Sequence, residues 1–357
     1  MSDYMFMLES RLTGEQNRAL SVVQGAAAHA GANLFLTGGA VRDLLGHFPI
    51  RDLDFTVEGP ALKIARDLAK KGAAEIVSED EHRKSAELLF PGGVTVEISL
   101  SRQEKYSSTG ARPQVSAAPI HEDLRRRDFT INALALSLNP ASKGLLLDPT
   151  NGLADLERRE LRSVSSYIFY DDPSRILRLI RFQVRFGMTL DERTANQLEN
   201  ARLAEMPAAI PPPAKRRELR ALAHEPLAAQ VLELLDQQKL ATLFAPALTG
   251  AKLNGPGFAK LEKARQLLPF GIDLRTDDLA IFLSILTEKL SAKEAAALVK
   301  QCGLVRSDTD HWQKLEAKSK ALEKLLKSPK LKKPSQVHAA AAAAPGEQIL
   351  FLLMHSS

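Results

Sequence analysis

The chain has 357 residues, of which 45% are apolar and 5% aromatic, and its formal net charge is +5. This length and apolar content supply cores for two or three domains and exclude an intrinsically disordered chain. The single cysteine, Cys302, excludes an intramolecular disulfide framework and a multi-cysteine zinc site. The basic excess fits a phosphate-rich partner such as nucleic acid, although many other enzymes are equally basic.

The sequence carries no membrane or secretion signal that we recognise. No run of about 18 apolar residues is present, and the first residues include acidic side chains where a secretory signal has a basic start and an apolar core. We therefore expect a cytoplasmic protein with no membrane partner. No protein partner can be inferred.

Up to about residue 138, helical and strand patterns alternate. In chain order they predict a helix over residues 14–31, a strand at "NLFLTGG", a short helix at "AVRDLLG", a half-buried strand at "RDLDFTV", a helix at "PALKIARDLAKKG", and a hairpin formed by "SAELLF" and "VTVEISL" around "PGG". These patterns predict an α+β region with a small mixed sheet.

The pattern changes after Asn139 and Pro140. From Asp148 onward it is helical almost without interruption, with breaks at prolines and glycines. We therefore predict an all-α remainder. The predicted segments are 1–140, 141–225 and 226–357.

Two aspartates separated by one residue form the first candidate site. In a strand, residues i and i+2 project from the same face, so Asp52 and Asp54 point together while Leu53 and Phe55 point to the other side. Paired carboxylates suit Mg²⁺, which prefers one or two carboxylates and completes its shell with water and phosphate oxygens. Two such ions can assist the in-line displacement of a pyrophosphate.

A glycine pair precedes these aspartates by about one helix and one turn. Gly38 and Gly39 end a predicted strand just before a short helix, where backbone N–H groups can meet a triphosphate. Arg42, one turn later, is placed to hold phosphate directly. Taken singly, a Gly-Gly turn or an Asp-x-Asp strand is also an ordinary structural feature. The two together, in this order, favour a nucleotide site.

Four segments in order resemble the signatures of one family. The segment "GGAVRDLLGHFPIRDLDFTVEG" resembles the first signature of the class II nucleotidyltransferases of the polymerase β superfamily, which include tRNA CCA-adding enzymes and bacterial poly(A) polymerases. The others are "EDLRRRDFTINALA", "LLDPTNGLADL" with its Asp-x-x-x-Gly, and "DDPSRILRLIRFQVRFGM", which resembles the nucleobase-reading segment. The resemblance covers residues 35 to about 188.

The resemblance implies a role for each matching residue. Gly38, Gly39 and Arg42 match the phosphate-binding segment, and Asp52 and Asp54 match the catalytic metal ligands. The remaining implied nucleotide-binding residues are Arg127, Asp128, Asn132, Asp172, Arg175, Arg178 and Arg181. Asp172 and Arg175 match the pair that reads the base. We expect them on one face of a helix, at i and i+3.

The resemblance also implies an activity. It predicts an Mg²⁺-dependent enzyme that adds CMP and AMP from CTP and ATP to the 3′ acceptor end of tRNA. The three segments would then be a nucleotidyltransferase head (1–140), a nucleobase-binding neck (141–225) and an RNA-binding body and tail (226–357). Alternatives that remain open are a CC-adding enzyme, an A-adding enzyme, a poly(A) polymerase and a catalytically silent RNA-binding relative.

The sequence departs from the family pattern in two places. Asp171 stands where the family usually has glutamate, and "IPPPAKRRELR" replaces a Ser-x-Glu-Arg helix start, with Arg217 and Glu218 as candidate substitutes for the usual bracing of the base-reading helix. The segment "SRQEKYSSTGARPQVSAAP" is either a mobile loop or a plain surface connection. Glu97 is either a third carboxylate of the metal site or an ordinary exposed strand residue.

Overall fold

The computed structural model describes residues 3–268, 274–329, 331 and 333–355. The chain divides into two compact units. Unit 1 comprises Met1–Arg175 and Met188–Ala204, and unit 2 comprises Ile176–Gly187 and Glu205–Ser357. The three predicted segments, with bounds at residues 140 and 225, stay a prediction.

Unit 1 contains the strands. They are β1 (Asn33–Thr37), β2 (Leu53–Glu58), β3 (Glu75–Asp80), β4 (Ser85–Phe90), β5 (Val94–Leu100), β6 (Arg102–Lys105), β7 (Gln114–Ala117), β8 (Ala135–Ser137), β9 (Leu146–Leu147), β10 (Glu160–Leu161) and β11 (Thr189–Leu190). Among the described residues, seven of them form one sheet in the order β3-β4-β5-β2-β1-β8-β9. The β2–β5 pair is parallel and its neighbours in the sheet are antiparallel, so the predicted mixed sheet is confirmed.

The helices of unit 1 are α1 (Tyr4–Arg11), α2 (Gly14–His29), α3 (Gly38–Leu45), α4 (Ala61–Lys70), α5 (Ile120–Arg125), α6 (Gly152–Arg158), α7 (Ile168–Asp171) and α9 (Glu192–Leu203). Helix α8 (Arg175–Phe186) begins with the last residue of the first segment of unit 1 and continues in unit 2. Helices α2 and α4 pack on the sheet. The Thr13 side chain and Gln16 form a capping box, which explains why α2 begins at Gly14.

Alternate side chains of β2 face the hydrophobic core and the opposite side of the sheet. Leu53, Phe55 and Val57 are fully buried in the core that α2 and α4 complete. Each such side chain contributes about 1.5–3 kcal/mol on burial. The side chain of Asp54 points to the opposite face because strand neighbours alternate. Core packing on one face thereby holds the carboxylate in place on the other.

Unit 2 is helical throughout the part that the structure describes, apart from turns and short 3-10 segments. Beyond α8 its helices are α10 (Pro212–Ala223), α11 (Ala228–Gln237), α12 (Gly255–Gln266), α13 (Asp278–Thr287), α14 (Ala292–Gln301), α15 (Arg306–Leu326), α16 (Pro334–Ala342) and α17 (Gly346–His355). The proline run at residues 211–213 starts α10, as a proline in the first turn favours.

The predicted helical character of the later part of the chain is confirmed, but two short strand pairs were not predicted. The segment expected to be a mobile loop or a surface connection contains the antiparallel pair β6–β7, in which Arg102 is opposite Ala117. The region after Asp148 also contains a short parallel pair, β10–β11, with Glu160 opposite Thr189. Strands of two to four residues are too short to produce a periodic pattern, so sequence alternation could not reveal them.

No individual helix among the described residues is long and apolar enough to cross a membrane. Helices α16 and α17 pass that test only as a pair, and they are bent by 117° at the break between them.

Candidate functional site

The glycine pair allows the backbone to lie directly against charged side chains. Gly38 has φ +61°, a left-handed conformation that glycine adopts readily, and a Cβ there would lie 2.8 Å from Nη1 of Arg127. A Cβ on Gly39 would lie 3.2 Å from Oδ2 of Asp54. Helix α3 begins at Gly38, so the pair forms the start of the helix instead of preceding it.

Asp54 is half-buried on β2, and its carboxylate accepts a hydrogen bond from the backbone N–H of Gly39. Burial raises the pKa of Asp54, against the charges of Arg127 and Arg42, which lower it. A cation bound at this carboxylate would favour its ionised form and oppose the effect of burial.

Glu97 on β5 lies directly opposite Asp54 in the parallel pair β2–β5. Glu97 is exposed to solvent, although desolvation by the surrounding protein atoms and the charge of Asp54 raise its pKa to about 7. The register places Glu97 beside Asp54, and its exposure agrees with an ordinary strand residue; its role in the metal site stays a prediction.

Asp52 precedes β2 by one residue and is exposed. The donor set of Asp54, Glu97 and Asp52 consists of carboxylate oxygens, which hard divalent cations prefer. Desolvation is the largest cause of the raised pKa of both Asp54 and Glu97, and the charge of Asp54 adds to the shift of Glu97. No group of three or more His, Cys, Asp or Glu in the described ranges is arranged to hold a metal ion by itself. The residues present fit a divalent cation only in the manner of Mg²⁺, which is held by one or two carboxylates and takes its other ligands from water and substrate phosphates.

Arg42 is buried on α3, with 4% of its surface exposed. Its Nε donates to Oδ1 of Asp43 (2.8 Å), and its Nη1 donates to Oδ1 of Asn132 (2.6 Å). Its Nη2 lies beside Gly39, 3.5 Å from where a Cβ would be. The guanidinium is thus fixed next to the glycine pair.

Arg127 is oriented by Asp123, a residue that the sequence analysis did not identify. Both Nε and Nη2 of Arg127 donate to Oδ2 of Asp123, at 3.1 and 2.9 Å. Nη2 also donates to Thr56 Oγ1 on β2 (3.1 Å), which directs the guanidinium toward the strand of Asp54. The helical i to i+4 spacing of Asp123 and Arg127 was the available sequence signal.

Asp123 is fully buried and also binds Arg126, whose Nη2 donates to Oδ1 at 2.5 Å. Burial by itself raises the pKa of Asp123, but the charges and hydrogen bonds of Arg127 and Arg126 lower it below the usual value. A buried carboxylate that stays ionised in this way is a rigid anchor for two cations.

The predicted base-reading pair does not lie on one helix. Asp172 is extended (φ −138°, ψ 93°) between α7 and α8, and Arg175 is the first residue of α8. Pro173 follows Asp172, and the residue before a proline is driven out of the helical region. Oδ1 of Asp172 accepts hydrogen bonds from the backbone N–H (3.0 Å) and the hydroxyl (2.6 Å) of Ser174.

The turn between β6 and β7 contacts this segment. The backbone N–H of Gly110 donates to the carbonyl of Asp171 (3.2 Å). Burial raises the pKa of Asp171, and the charge of Arg175 opposes that shift. Asp171 and Arg175 therefore interact electrostatically even though glutamate is absent here.

Arg178 and Arg181 lie on α8, in the part of that helix that belongs to unit 2. The guanidinium of Arg178 lies 5.3 Å from the ring centroid of Phe182. Arg181 is buried, and its Nε and Nη1 donate to Glu218 and Glu225, each at 3.0 Å. Glu218 on α10 thus contacts α8, as its predicted bracing role requires. The nucleotide contacts of the two arginines stay a prediction.

Comparison with known proteins agrees with this geometry. Residues 34–162 match the family model described as "Poly A polymerase head domain". An A-adding tRNA nucleotidyltransferase of Halalkalibacterium halodurans is 36% identical over 227 residues, which cover 61% of this chain and 52% of that protein. A CC-adding tRNA nucleotidyltransferase of Deinococcus radiodurans is 37% identical over 215 residues, covering 59% and 55% respectively.

The similarity extends to a solved structure over the whole chain. The Thermotoga maritima CCA-adding enzyme complexed with tRNA_CCA superimposes with a TM-score of 0.61 and 25% identity, covering 100% of this chain and 82% of that one. The chain spans about half the length of the two curated relatives. The signatures, the mixed sheet and these matches together show that residues 34–162 are similar to a poly(A) polymerase head domain and that the chain resembles tRNA nucleotidyltransferases.

Proposed function

We propose that this protein is an Mg²⁺-dependent nucleotidyltransferase that adds CMP and AMP, from CTP and ATP, to the 3′ end of tRNA. One observation supports this most directly: Asp54 lies against the Gly39 backbone, with Arg127 and Arg42 beside it. This arrangement combines a cation-binding carboxylate with basic groups that match a triphosphate, which is what nucleotidyl transfer requires.

In unit 1, one group of residues would bind the metal ion and another group would bind the nucleotide. Asp52 and Asp54 would hold Mg²⁺, with Glu97 close enough in the sheet to shape the site. Gly38, Gly39 and Arg42 would bind the phosphates. Bound Mg²⁺ would lower the pKa of the attacking 3′ hydroxyl and stabilise the pyrophosphate that leaves.

Basic side chains of the protein would neutralise the remaining negative charge of the triphosphate. Arg127, directed by Asp123 toward β2, would contact the nucleotide, and Asn132 would lie near its ribose, with Asp128 accepting a hydrogen bond from the Asn132 side chain (2.9 Å). Because these groups are held before substrate arrives, they need little reorganisation during the reaction.

Base selection would rest on Asp172 and Arg175, with Arg178 and Arg181 as further nucleotide contacts. Asp172 accepts and Arg175 donates hydrogen bonds, which together match the edge of cytosine or, after a small rotation, adenine. The helices of unit 2 would bind the acceptor arm of tRNA through its phosphates and shape. Such an enzyme is expected in the cytoplasm.

A narrower activity is the second candidate, because the two relatives described above are named for adding A alone and CC alone. The test is incorporation of labelled CTP or ATP by the purified protein with Mg²⁺. The substrates are tRNAs that end at the discriminator base, at the first cytidine and at both cytidines. Extension of all three to CCA, followed by termination, is the result expected for the proposed function.

The matched variants are Asp54→Asn, Asp52→Asn and, as a control, Glu75→Gln on β3, a carboxylate on the edge strand of the same sheet. The first two are expected to abolish incorporation while tRNA binding persists, and the control to retain it. Addition of C only or A only selects the narrower enzyme, and an unlimited A tail selects a poly(A) polymerase. No incorporation by the unaltered protein overturns the proposal in favour of a silent RNA-binding relative.

A further inference from the structure

The third signature, "LLDPTNGLADL", has no assigned role in the site, and the structure shows how it folds. Oδ1 of Asp148 accepts a hydrogen bond from the backbone N–H of Gly152 (2.7 Å), and Oδ2 accepts one from that of Leu153 (3.0 Å). These are two of the N–H groups that a helix start leaves without partners. Asp148 thereby fixes where α6 begins.

Helix α6 lies in close contact with the segment that carries Asn132. Thr130–Asn132 form a short 3-10 helix, and a Cβ built on Gly152 would lie 2.1 Å from the backbone oxygen of Thr130. No side chain fits at that distance. Glycine at position 152 therefore permits this close packing of the two segments.

Asp155 joins the same two segments through a side-chain hydrogen bond. It lies one turn into α6 and is fully buried. Its Oδ2 accepts a hydrogen bond from the Thr130 hydroxyl (2.7 Å), and its Oδ1 lies 3.2 Å from Nη2 of Arg162. A buried carboxylate with two specific partners constrains both of them.

The constrained 3-10 helix ends at a residue of the candidate nucleotide site. Oδ1 of Asn132 accepts the 2.6 Å hydrogen bond from Nη1 of Arg42, and the Asn132 carbonyl accepts from Nη1 of Arg127 (3.3 Å). Thr130, which contacts Asp155, is thus only two residues from Asn132, which contacts both arginines. A shift of Thr130 would displace the Asn132 oxygens that accept hydrogen bonds from Arg42 and Arg127.

We propose that Asp155 is a positioning residue for triphosphate binding, acting through Thr130 and Asn132 on Arg42 and Arg127. This inference rests on the proposed function, since it takes the nucleoside triphosphate as the ligand of those arginines. Asp155 itself touches neither nucleotide nor reacting atoms. Its contribution is made before substrate binds, by fixing the directions of the two guanidinium groups.

The position of this contact predicts a specific kinetic signature. The triphosphate is the part that CTP and ATP share, whereas the base is read by other residues. Loss of the Thr130 to Asp155 hydrogen bond is therefore expected to raise KM for CTP and ATP by the same factor, about tenfold, which is the size of a buried hydrogen bond to a charged group. The ratio of C to A incorporation is expected to stay unchanged.

The experiment compares three single variants of the full chain. Thr130→Val removes the hydroxyl with little change of shape, Thr130→Ser keeps it, and Arg162→Met removes the other partner of Asp155 without altering the 3-10 helix side chains. KM and kcat are measured for CTP and for ATP with tRNA acceptor. Equilibrium binding of CTP and ATP and thermal unfolding are measured on the same proteins.

Thr130→Val is expected to weaken both nucleotides equally, Thr130→Ser to restore wild-type values, and Arg162→Met to lower the unfolding temperature while KM stays near wild type. Equal KM values for Thr130→Val and the unaltered protein would overturn the positioning role. A rise of KM in Arg162→Met equal to that in Thr130→Val would also overturn the positioning role, because it would show that Asp155 only stabilises the fold. If the unaltered protein binds neither CTP nor ATP and adds no nucleotide, the proposed function fails first, and this outcome is distinguishable from the others.

Discussion

Asp54 on β2 and Glu97 on β5 are direct neighbours across the parallel strand pair, and the pKa of each is raised. The raised pKa of Glu97, about 7, has burial by surrounding protein as its main cause, followed by the charge of Asp54. The two carboxylates therefore titrate as neighbours, and the state of one affects the other.

This relationship predicts how the stability of the metal-free protein depends on pH. The pKa of Glu97 rises from 4.5 to about 7 on folding, so between these values the folded state binds more protons than the unfolded state. Its stabilising contribution is complete below the unfolded pKa and is lost as pH rises through the folded pKa. Glu97→Gln is expected to remove this pH dependence.

The measurement is the thermal unfolding temperature of the metal-free protein from about pH 5 to about pH 8, a range that spans the Glu97 transition. The advantage of the unaltered protein over Glu97→Gln is expected to shrink as pH rises. Glu75→Gln on the edge strand serves as the control and is expected to follow the unaltered protein. Parallel curves for Glu97→Gln and the unaltered protein would contradict a raised pKa at this position.

Asp123 is predicted to be essential for the orientation of Arg127. Asp123→Ala leaves Arg126 and Arg127 without their shared acceptor, and breaking a buried ion pair costs about 3–5 kcal/mol of the free energy of unfolding. Nucleotide affinity is expected to fall as well, because Arg127 loses the contacts that direct it toward β2. Denaturant unfolding and equilibrium binding of CTP measure the two effects.

The neighbouring residue supplies a matched control. Glu122 pairs with Arg125 at the surface, where both side chains are about half exposed (54% and 55%). Exposed pairs contribute at most about 1 kcal/mol, so Glu122→Ala is expected to change neither stability nor binding substantially. Equal losses for Glu122→Ala and Asp123→Ala would refute a specific role for Asp123.

Gly39→Ala is predicted to lower activity while the protein stays folded. The new Cβ would lie 3.2 Å from Oδ2 of Asp54, so this carboxylate must shift by a few tenths of an ångström, and the Cβ would be in van der Waals contact with Nη2 of Arg42 at 3.5 Å. Small displacements of catalytic groups are costly, and we expect a loss of about tenfold or more in the rate of nucleotide addition. Steady-state kinetics and circular dichroism check the two halves of this prediction.

Gly25 on α2 is the matched control, because a Cβ there meets nothing within 4 Å. Gly25→Ala is expected to keep full activity and to stabilise the protein by roughly 0.5–1 kcal/mol, the usual gain of alanine over glycine in a helix. A Gly39→Ala protein as active as Gly25→Ala would show that the approach of the backbone to Asp54 is not required.

Glu218→Gln is predicted to destabilise unit 2. Its carboxylate is buried with Arg181, whose charge is otherwise matched by Glu225. Loss of one of two buried partners is expected to cost about 2–3 kcal/mol of the free energy of unfolding. Glu316→Gln, which affects an exposed i to i+4 pair with Lys320 on α15, is expected to cost less than about 1 kcal/mol. Equal unfolding midpoints for the two variants would refute the prediction.

Local sequence patterns produced one correct prediction and one wrong prediction about the site. Alternation in "RDLDFTV" predicted correctly that Leu53 and Phe55 face the core. Helical spacing placed Asp172 and Arg175 on one helix, which was wrong because Pro173 forces Asp172 into an extended conformation. Proline geometry is a local rule, so this error could have been avoided from the sequence.

Other features could not have been predicted from local patterns. Glu97 is separated from Asp54 by 43 residues, and only the register of β2 against β5 brings them together. Arg42 and Asn132 are 90 residues apart, and their hydrogen bond depends on the packing of α3 against the 3-10 helix. Sequence spacing contains no information about register or packing between distant segments.

The sequence by itself determined the resemblance to the class II nucleotidyltransferases, the α+β character of the first unit and the identities of the charged residues that match those signatures. These follow from periodicity, from turn residues and from short motifs, each of which acts over a few residues. The tertiary structure alone decided that Asp123 directs Arg127, that Glu97 stands opposite Asp54 and that α6 supports the segment of Asn132. Hydrogen bonds and burial form between segments that the chain brings together only on folding, and therefore the positions of these groups depend on the whole fold.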